Sequence, residues 1–163
     1  MGLTGRDFTG VARQASRGVR ENIRMPVEGR LPTEGDSSRA VLIVEDSENS
    51  AATLEIAFLG IPGVTVLLAT SAIEALHILR GEPAVRAIVT DLNMPRMDGF
   101  ELIRRIRQDG KLSRTPIIVV SADTDPETPE RIEKLGVSAF FAKPYSPAQV
   151  RRKLEQILNA TTQ

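Results

Sequence analysis

The chain has 163 residues, 41% of them hydrophobic and 26% charged, which is enough for one packed domain with a modest extension and too apolar for a wholly disordered chain. Lys and Arg together number 21, as do Asp and Glu, so no basic excess is available to neutralise a phosphate backbone, and nucleic acid is not an expected partner. Cysteine is absent, which excludes disulfides, thiolate metal sites and cysteine nucleophiles; the N-terminus is not signal-like and no apolar run has transmembrane length, so the expected location is the cytoplasm.

Residues 1–38 read as an N-terminal extension. Phe8, Val11, Ala12, Ala15, Val19 and Ile23 fall on one face at helical period, with Arg6, Arg13, Arg17, Arg20 and Arg24 opposite. That spacing predicts a basic amphipathic helix over 5–24, able to lie on an anionic membrane, dock on a partner or pair with itself, although Gly10 and Gly18 weaken it. Residues 25–38, with Pro26 and Pro32, read as linker.

From residue 39 to 160 the pattern changes to a domain in which short continuous apolar runs alternate with segments of helical period. The runs are Val41–Val44, Val64–Leu68, Ala87–Val89, Ile117–Val120 and Ala139–Ala142. Each is too short for a helix and mostly β-branched or aromatic, as buried strands prefer. Between and after them, residues 48–59, 71–80, 99–108, 127–135 and 147–158 space apolar side chains three or four apart. Ser71, Asp98 and Ser146 stand where N-caps are wanted, and Gly60, Gly81, Gly110 and Gly136 where helices should stop. Five β-α units predict an α/β fold with an open, doubly wound parallel sheet, since an eight-stranded barrel needs a longer chain.

In such a sheet ligands bind at the carboxyl ends of the strands. There the first run ends in Glu45-Asp46, the third in Thr90-Asp91, the fourth in Ser121, and the fifth leads to Lys143-Pro144. Carboxylates gathered there repel by roughly 4 kcal/mol per close pair at an effective dielectric near 20, so positive charge must sit among them. Lys143 supplies one charge, and a hard divalent cation such as magnesium suits oxygen ligands; zinc does not, because His77 is the only histidine and cysteine is lacking. Met94-Pro95 and Gly99 read as structural, fixing the loop after Asp91.

These segments, Val41 to Asp46, Thr90 to Gly99, Val120-Ser121-Ala122 and Ala142-Lys143-Pro144, resemble the receiver domain of two-component response regulators, in particular the single-domain chemotaxis type. The resemblance covers about residues 39–158. It implies a flavodoxin-like strand order 2-1-3-4-5 and a phosphoacceptor, Asp91, that takes its phosphoryl group from a histidine kinase, a phosphotransfer protein or a small donor. It further implies Mg2+ held by Asp46, Asp91 and the backbone carbonyl of Asn93, with Glu45 assisting, while Ser121 and Lys143 contact the phosphoryl group. Phe140 stands where the family has a switch aromatic, the fourth helix, fifth strand and fifth helix form the surface read by an output protein, and a dimer on activation is a further expectation. Asp123 is placed where it could orient a hydrolytic water.

Only five residues follow Leu158, so output is expected through a partner or the N-terminal extension. The chain is therefore read as a phosphorylation-controlled signalling protein and not an enzyme, beyond self-phosphorylation from a donor and loss of its own aspartyl phosphate. Phosphorelay intermediate, phosphate sink and phosphorylation-independent binding module are the alternatives. A haloacid dehalogenase-like hydrolase would want a second acid two residues after the nucleophile, where this chain has Asn93.

Overall fold

The computed structural model describes residues 39–81 and 84–161. The amphipathic segment 5–24 and the linker 25–38 lie outside the described residues. The elements alternate as β1 (Arg39–Val44), α1 (Glu48–Phe58), β2 (Val64–Ala69), α2 (Ala72–Gly81), β3 (Val85–Thr90), α3 (Gly99–Gln108), β4 (Ile117–Ser121), α4 (Thr128–Lys134), β5 (Ala139–Ala142) and α5 (Pro147–Ala160). All strand pairs are parallel, in the order β2-β1-β3-β4-β5. The expected doubly wound fold is thus the observed one.

The period-two alternation of each strand divides the core into two layers. Leu42 and Val44 of β1 join Ile88, Ile117 and Val119 under α2, α3 and α4. Val41 and Ile43 join Ala87, Val89, Ile118 and Val120 under α1 and α5, whose Leu54, Phe58, Val150 and Leu154 are fully buried. Both faces are covered, which is why these strands read as continuous apolar runs and not as alternating ones.

Local signals set the element ends. Asp98 and Ser146 cap α3 and α5 as expected, accepting from Glu101 N at 2.9 Å and Gln149 N at 3.4 Å, and Ser71 Oγ accepts from Glu74 N at 3.1 Å before α2. Gly136 follows α4 with φ +67, the left-handed conformation that glycine takes without a Cβ penalty. Several boundaries differ from expectation by one or two residues, two of them as follows. β3 begins at Val85, two residues early, because Val85 pairs with Ala40 beyond a register shift in β1. Gly81 lies inside α2 and does not follow it.

The end of the sheet opposite the strand carboxyl ends is tied together by one side chain. The Arg107 guanidinium, at the end of α3, donates to the carbonyls of Leu135 at 2.9 Å, Ser113 at 3.1 Å, Thr115 at 2.8 Å and Gly136 at 3.0 Å. Partial burial holds its pKa below the usual guanidinium value, yet four carbonyl dipoles compensate the charge. Replacing Arg107 by Met keeps the stem and removes these bonds. It should lower unfolding free energy by about 2 kcal/mol, the scale for losing hydrogen bonds made by a charged group, read as a shifted urea midpoint at constant slope.

Candidate functional site

The chain runs outward along β1, α1 and β2 to one side of the sheet and along β3, β4 and β5 to the other, so the crevice between β1 and β3 is the topological switch point. The sheet therefore delivers Glu45, directly after β1, and Asp91, directly after β3, to one place. Glu45 is 2% exposed and Asp91 5%, whereas Asp46 is exposed.

Lys143, directly after β5, bridges the two buried acids. Its Nζ donates to Asp91 Oδ2 at 2.8 Å and to Glu45 Oε2 at 3.0 Å. The remaining carboxylate oxygens take backbone donors: Asp91 Oδ1 accepts from Leu92 N at 2.6 Å and Asn93 N at 3.1 Å, and Glu45 Oε1 from Ser47 N at 3.2 Å. Charge-assisted bonds of this kind are what make buried carboxylates tolerable. Burial still dominates at Glu45 and pushes its pKa above the ordinary value, with the Asp91 charge adding to the rise and the bonds from Lys143 and Ser47 opposing it. Burial alone would pull Lys143 down, but its bonds to Asp91 and Glu45 outweigh that and carry it above the usual lysine value.

Glu45, Asp46 and Asp91 each offer a carboxylate oxygen, and these oxygens lie within 4.8 Å of one another. The donor set is all hard oxygen, as magnesium prefers, and its net negative charge exceeds what one lysine neutralises. The residues present therefore fit the expected ion. Asn93 is tied to Asp91 by the hydrogen bond that its backbone N–H donates to Oδ1, and its side-chain Nδ2 donates to Ser121 Oγ at 3.3 Å. Ser121, fully buried at the end of β4, also accepts from Asp123 N at 3.2 Å. Both bonds use its oxygen as acceptor, so neither consumes its own proton.

The structure thus brings together Glu45, Asp46, Asp91, Asn93, Ser121 and Lys143. Phe140 lies apart, half-buried in β5 opposite Val119 and packed against the layer under α2, α3 and α4. Asp123 caps its own loop, accepting from Asp125 N at 2.8 Å. His77 is exposed on α2.

Three residues of the Glu45 and Asp91 loops have roles that the sequence does not assign. Ser47 caps α1, accepting from Ser50 N at 3.4 Å, while its own amide holds Glu45. Thr90 Oγ1 donates to the Asp91 carbonyl at 2.8 Å from a fully buried position. Arg96 sits at φ +71 in the turn closed by Met97 N to Pro95 O at 2.9 Å, a strained region for a side chain. Ser47 was findable as a helix N-cap directly after an acidic pair; the other two carry no sequence signature.

Gly99 fulfils the structural role expected of it. Its N–H donates to Leu92 O at 2.8 Å, and a Cβ there would collide with the Asp91 carbonyl oxygen and stand 2.7 Å from Leu92 Cα. Those are backbone atoms that cannot step aside without moving Asp91 itself.

Comparison with known proteins agrees with this geometry. The family model described as response regulator receiver domain matches residues 41–155. The two-component response regulator ORR11 of Oryza sativa subsp. indica is 32% identical over 124 residues, covering 76% of this chain and 84% of that protein. A chemotaxis protein CheY homolog of Campylobacter jejuni is 30% identical over 118 residues, covering 72% and 91%. A response regulator receiver protein of Pseudomonas putida superposes with a TM-score of 0.68 at 30% identity, covering 72% of this chain and 96% of that one.

Two outcomes follow from the site's packing and charge. Gly99→Ala should cost about 3 kcal/mol or more, whereas Gly110→Ala, with nothing within 4 Å of its Cβ position, should stay within about 0.5 kcal/mol; chemical denaturation of the pair checks this. Because the folded state holds the Glu45 proton more tightly than the unfolded chain, this group's contribution to stability is greatest in acid and declines as pH rises from about 4.5 through the raised value. In chelator, Glu45→Gln should therefore be more stable than the parent at pH 7, and the advantage should vanish towards pH 4.5. A variant less stable at pH 7 contradicts the assignment.

Proposed function

The chain belongs to the response regulator receiver domain family of two-component signalling, and from that premise we propose that Asp91 is its phosphoacceptor, modified by a histidine kinase or a phosphotransfer protein in a magnesium-dependent reaction. The observation that carries this reading is the Lys143 ammonium, 2.8 Å from Asp91 Oδ2 in a group where Glu45, Asp46 and Asp91 converge.

The chemistry follows from the residues. A carboxylate oxygen of Asp91 attacks phosphorus of a phosphohistidine; the new P–O bond forms as the P–N bond breaks, and the imidazole leaves. Positioning and charge neutralisation supply most of the acceleration in such transfers. Leu92 and Asn93 amides fix the carboxylate through Oδ1, so its other oxygen keeps a set direction towards Lys143. Lys143 is the side-chain cation among the described residues that touches Asp91, and it follows the negative charge from carboxylate to phosphoryl oxygen. The Ser121 proton, used in neither of the bonds that its oxygen accepts, is donated to a phosphoryl oxygen. Glu45, Asp46, Asp91 and the Asn93 carbonyl would hold Mg2+, which when bound supplies further positive charge at the phosphoryl oxygens. The product is an acyl phosphate, a mixed anhydride whose hydrolysis is downhill, so the mark is transient.

Capture of the Ser121 hydroxyl draws the β4–α4 loop towards Asp91, and the half-buried Phe140 responds from the neighbouring strand. The surface of α4, β5 and α5 carries the result to an output protein or to a second copy. Among the described residues no helix is long and apolar enough to cross a membrane, and we place the protein in the cytoplasm with its kinase partner.

The test is incubation of the purified chain with magnesium and acetyl phosphate, followed by intact-mass spectrometry. A single phosphoryl adduct, base-labile, abolished by chelator and by Asp91→Asn, is expected. A folded parent protein without any adduct, and without response to beryllofluoride, overturns the assignment in favour of phosphorylation-independent binding. Lys143→Ala should still take up phosphoryl but no longer couple it to the Phe140 environment, followed by fluorine labelling of the ring.

A further inference from the structure

Three large hydrophobic side chains stand well exposed among the described residues: Ile56 at 70%, Leu59 at 49% and Ile73 at 54%. Ile56 lies on α1 and Leu59 directly after it, one turn apart, and the exposed Ala52 continues their row towards the helix N-terminus. The inward side of α1 is already committed to the core through Leu54 and Phe58, so this outward row does nothing for the domain itself. α1 has no Lys or Arg, and Glu48 and Glu55 border the row.

The polypeptide enters the domain beside the lower end of that row. Arg39 N donates to Gly63 O at 2.9 Å, and its guanidinium donates to Pro62 O at 3.0 Å and to Asn159 Oδ1 at 3.4 Å. Pro62 and Gly63 belong to the turn that directly follows Leu59. Whatever precedes Arg39 therefore departs next to the exposed patch.

What precedes it matches the patch in chemistry and in reach. Residues 5–24 carry five arginines against two acids, with the apolar face of Phe8, Val11, Val19 and Ile23 between them. The fourteen residues 25–38 span about 20 Å as a flexible chain and at most roughly 48 Å extended. The eleven residues of α1 are about 16 Å long, so every part of the row is within reach. A tether of that length raises the local concentration towards the millimolar range, which populates a contact too weak to form between separate molecules.

We propose that residues 5–24 dock on the domain of the same chain, laying their apolar face on the Ala52, Ile56 and Leu59 row while their arginines meet Glu48 and Glu55. Docking and helix formation are then one event, since a free helix of that length with two internal glycines is marginal in water. The contact goes beyond the phosphoacceptor assignment and needs no phosphoryl group, so either can fail alone.

The lack of native cysteine makes the full-length chain suited to spin labelling at introduced ones. A nitroxide on Thr53→Cys, exposed at the side of the row, should cause intensity loss at the amide signals of residues 8–23 in unphosphorylated protein. The same label on Lys134→Cys, exposed on the opposite face of the sheet, should spare them. Ile56→Glu added to the Thr53→Cys chain should restore the signals. Equal effects of the two labels overturn the proposal. So does intensity loss that persists when labelled chain is mixed with unlabelled isotope-enriched chain, which assigns the patch to a second copy. Binding of the full chain to phosphatidylglycerol vesicles through residues 5–24, without any effect of the Thr53→Cys label, assigns the segment to a lipid surface and equally overturns it.

Discussion

One cation between two buried acids organises this domain. Lys143 arrives from the edge strand β5, while Glu45 and Asp91 arrive from the central pair β1 and β3, so the bridge spans β4 and joins parts of the sheet that share no backbone hydrogen bonds. Without the ammonium, two carboxylates that are nearly fully buried would face each other in a medium where like charges repel by several kcal/mol. Around it the backbone is arranged to feed the same acids: amides from the start of α1 and from the loop after β3 take the oxygens that lysine leaves. The arrangement is costly to the free domain, and the raised Glu45 pKa is the trace of that cost. Unbalanced negative charge packed in this way is what the proposed function, with a divalent cation and a phosphoryl group on Asp91, would call for.

Much of this was legible in the sequence because the relevant physics is local. Apolar runs bounded by Asp, Ser and Gly place the strands, and a residue directly after a parallel strand lies at its carboxyl end, so Glu45, Asp91, Ser121 and Lys143 were bound to converge. The division of labour between Glu45 and Asp46 was less legible. A strand turns successive side chains to opposite sides, and the sequence does not say which side faces the crevice when the strand ends at that point. The structure buries Glu45 against Lys143 and leaves Asp46 exposed, with a carboxylate oxygen of each within 4.8 Å of the other and of Asp91.

What stayed hidden involves partners that have no side-chain identity. Arg107 reads as one more arginine on the polar side of α3, yet it binds four carbonyls from two loops, and carbonyls carry no sequence signature. Thr90 reads as a polar residue after the third run and proves to hold the Asp91 carbonyl. Gly99 lies between these cases: a glycine after a proline-containing loop announces close backbone approach, but only the fold shows that the approach is to Asp91 itself. Each such residue acts by fixing main chain, which is why composition and periodicity pass over it.

The helix α1 ties these threads together. Its first residues belong to the site, because Ser47 both caps the helix and fixes Glu45 through its amide. Its far end borders the turn where the chain enters from the N-terminal extension, and the row between them is apolar and exposed, with Glu48 and Glu55 beside it on α1 and the Arg151 and Arg39 guanidiniums on the turn that follows. A rigid helix eleven residues long has few ways to respond to a load on its outer face except as a unit. Anything that settles on Ile56 and Leu59 therefore bears on the same element that sets the Glu45 carboxylate, and the extension is the part of this chain whose charge, apolar face and tether length suit it to that position.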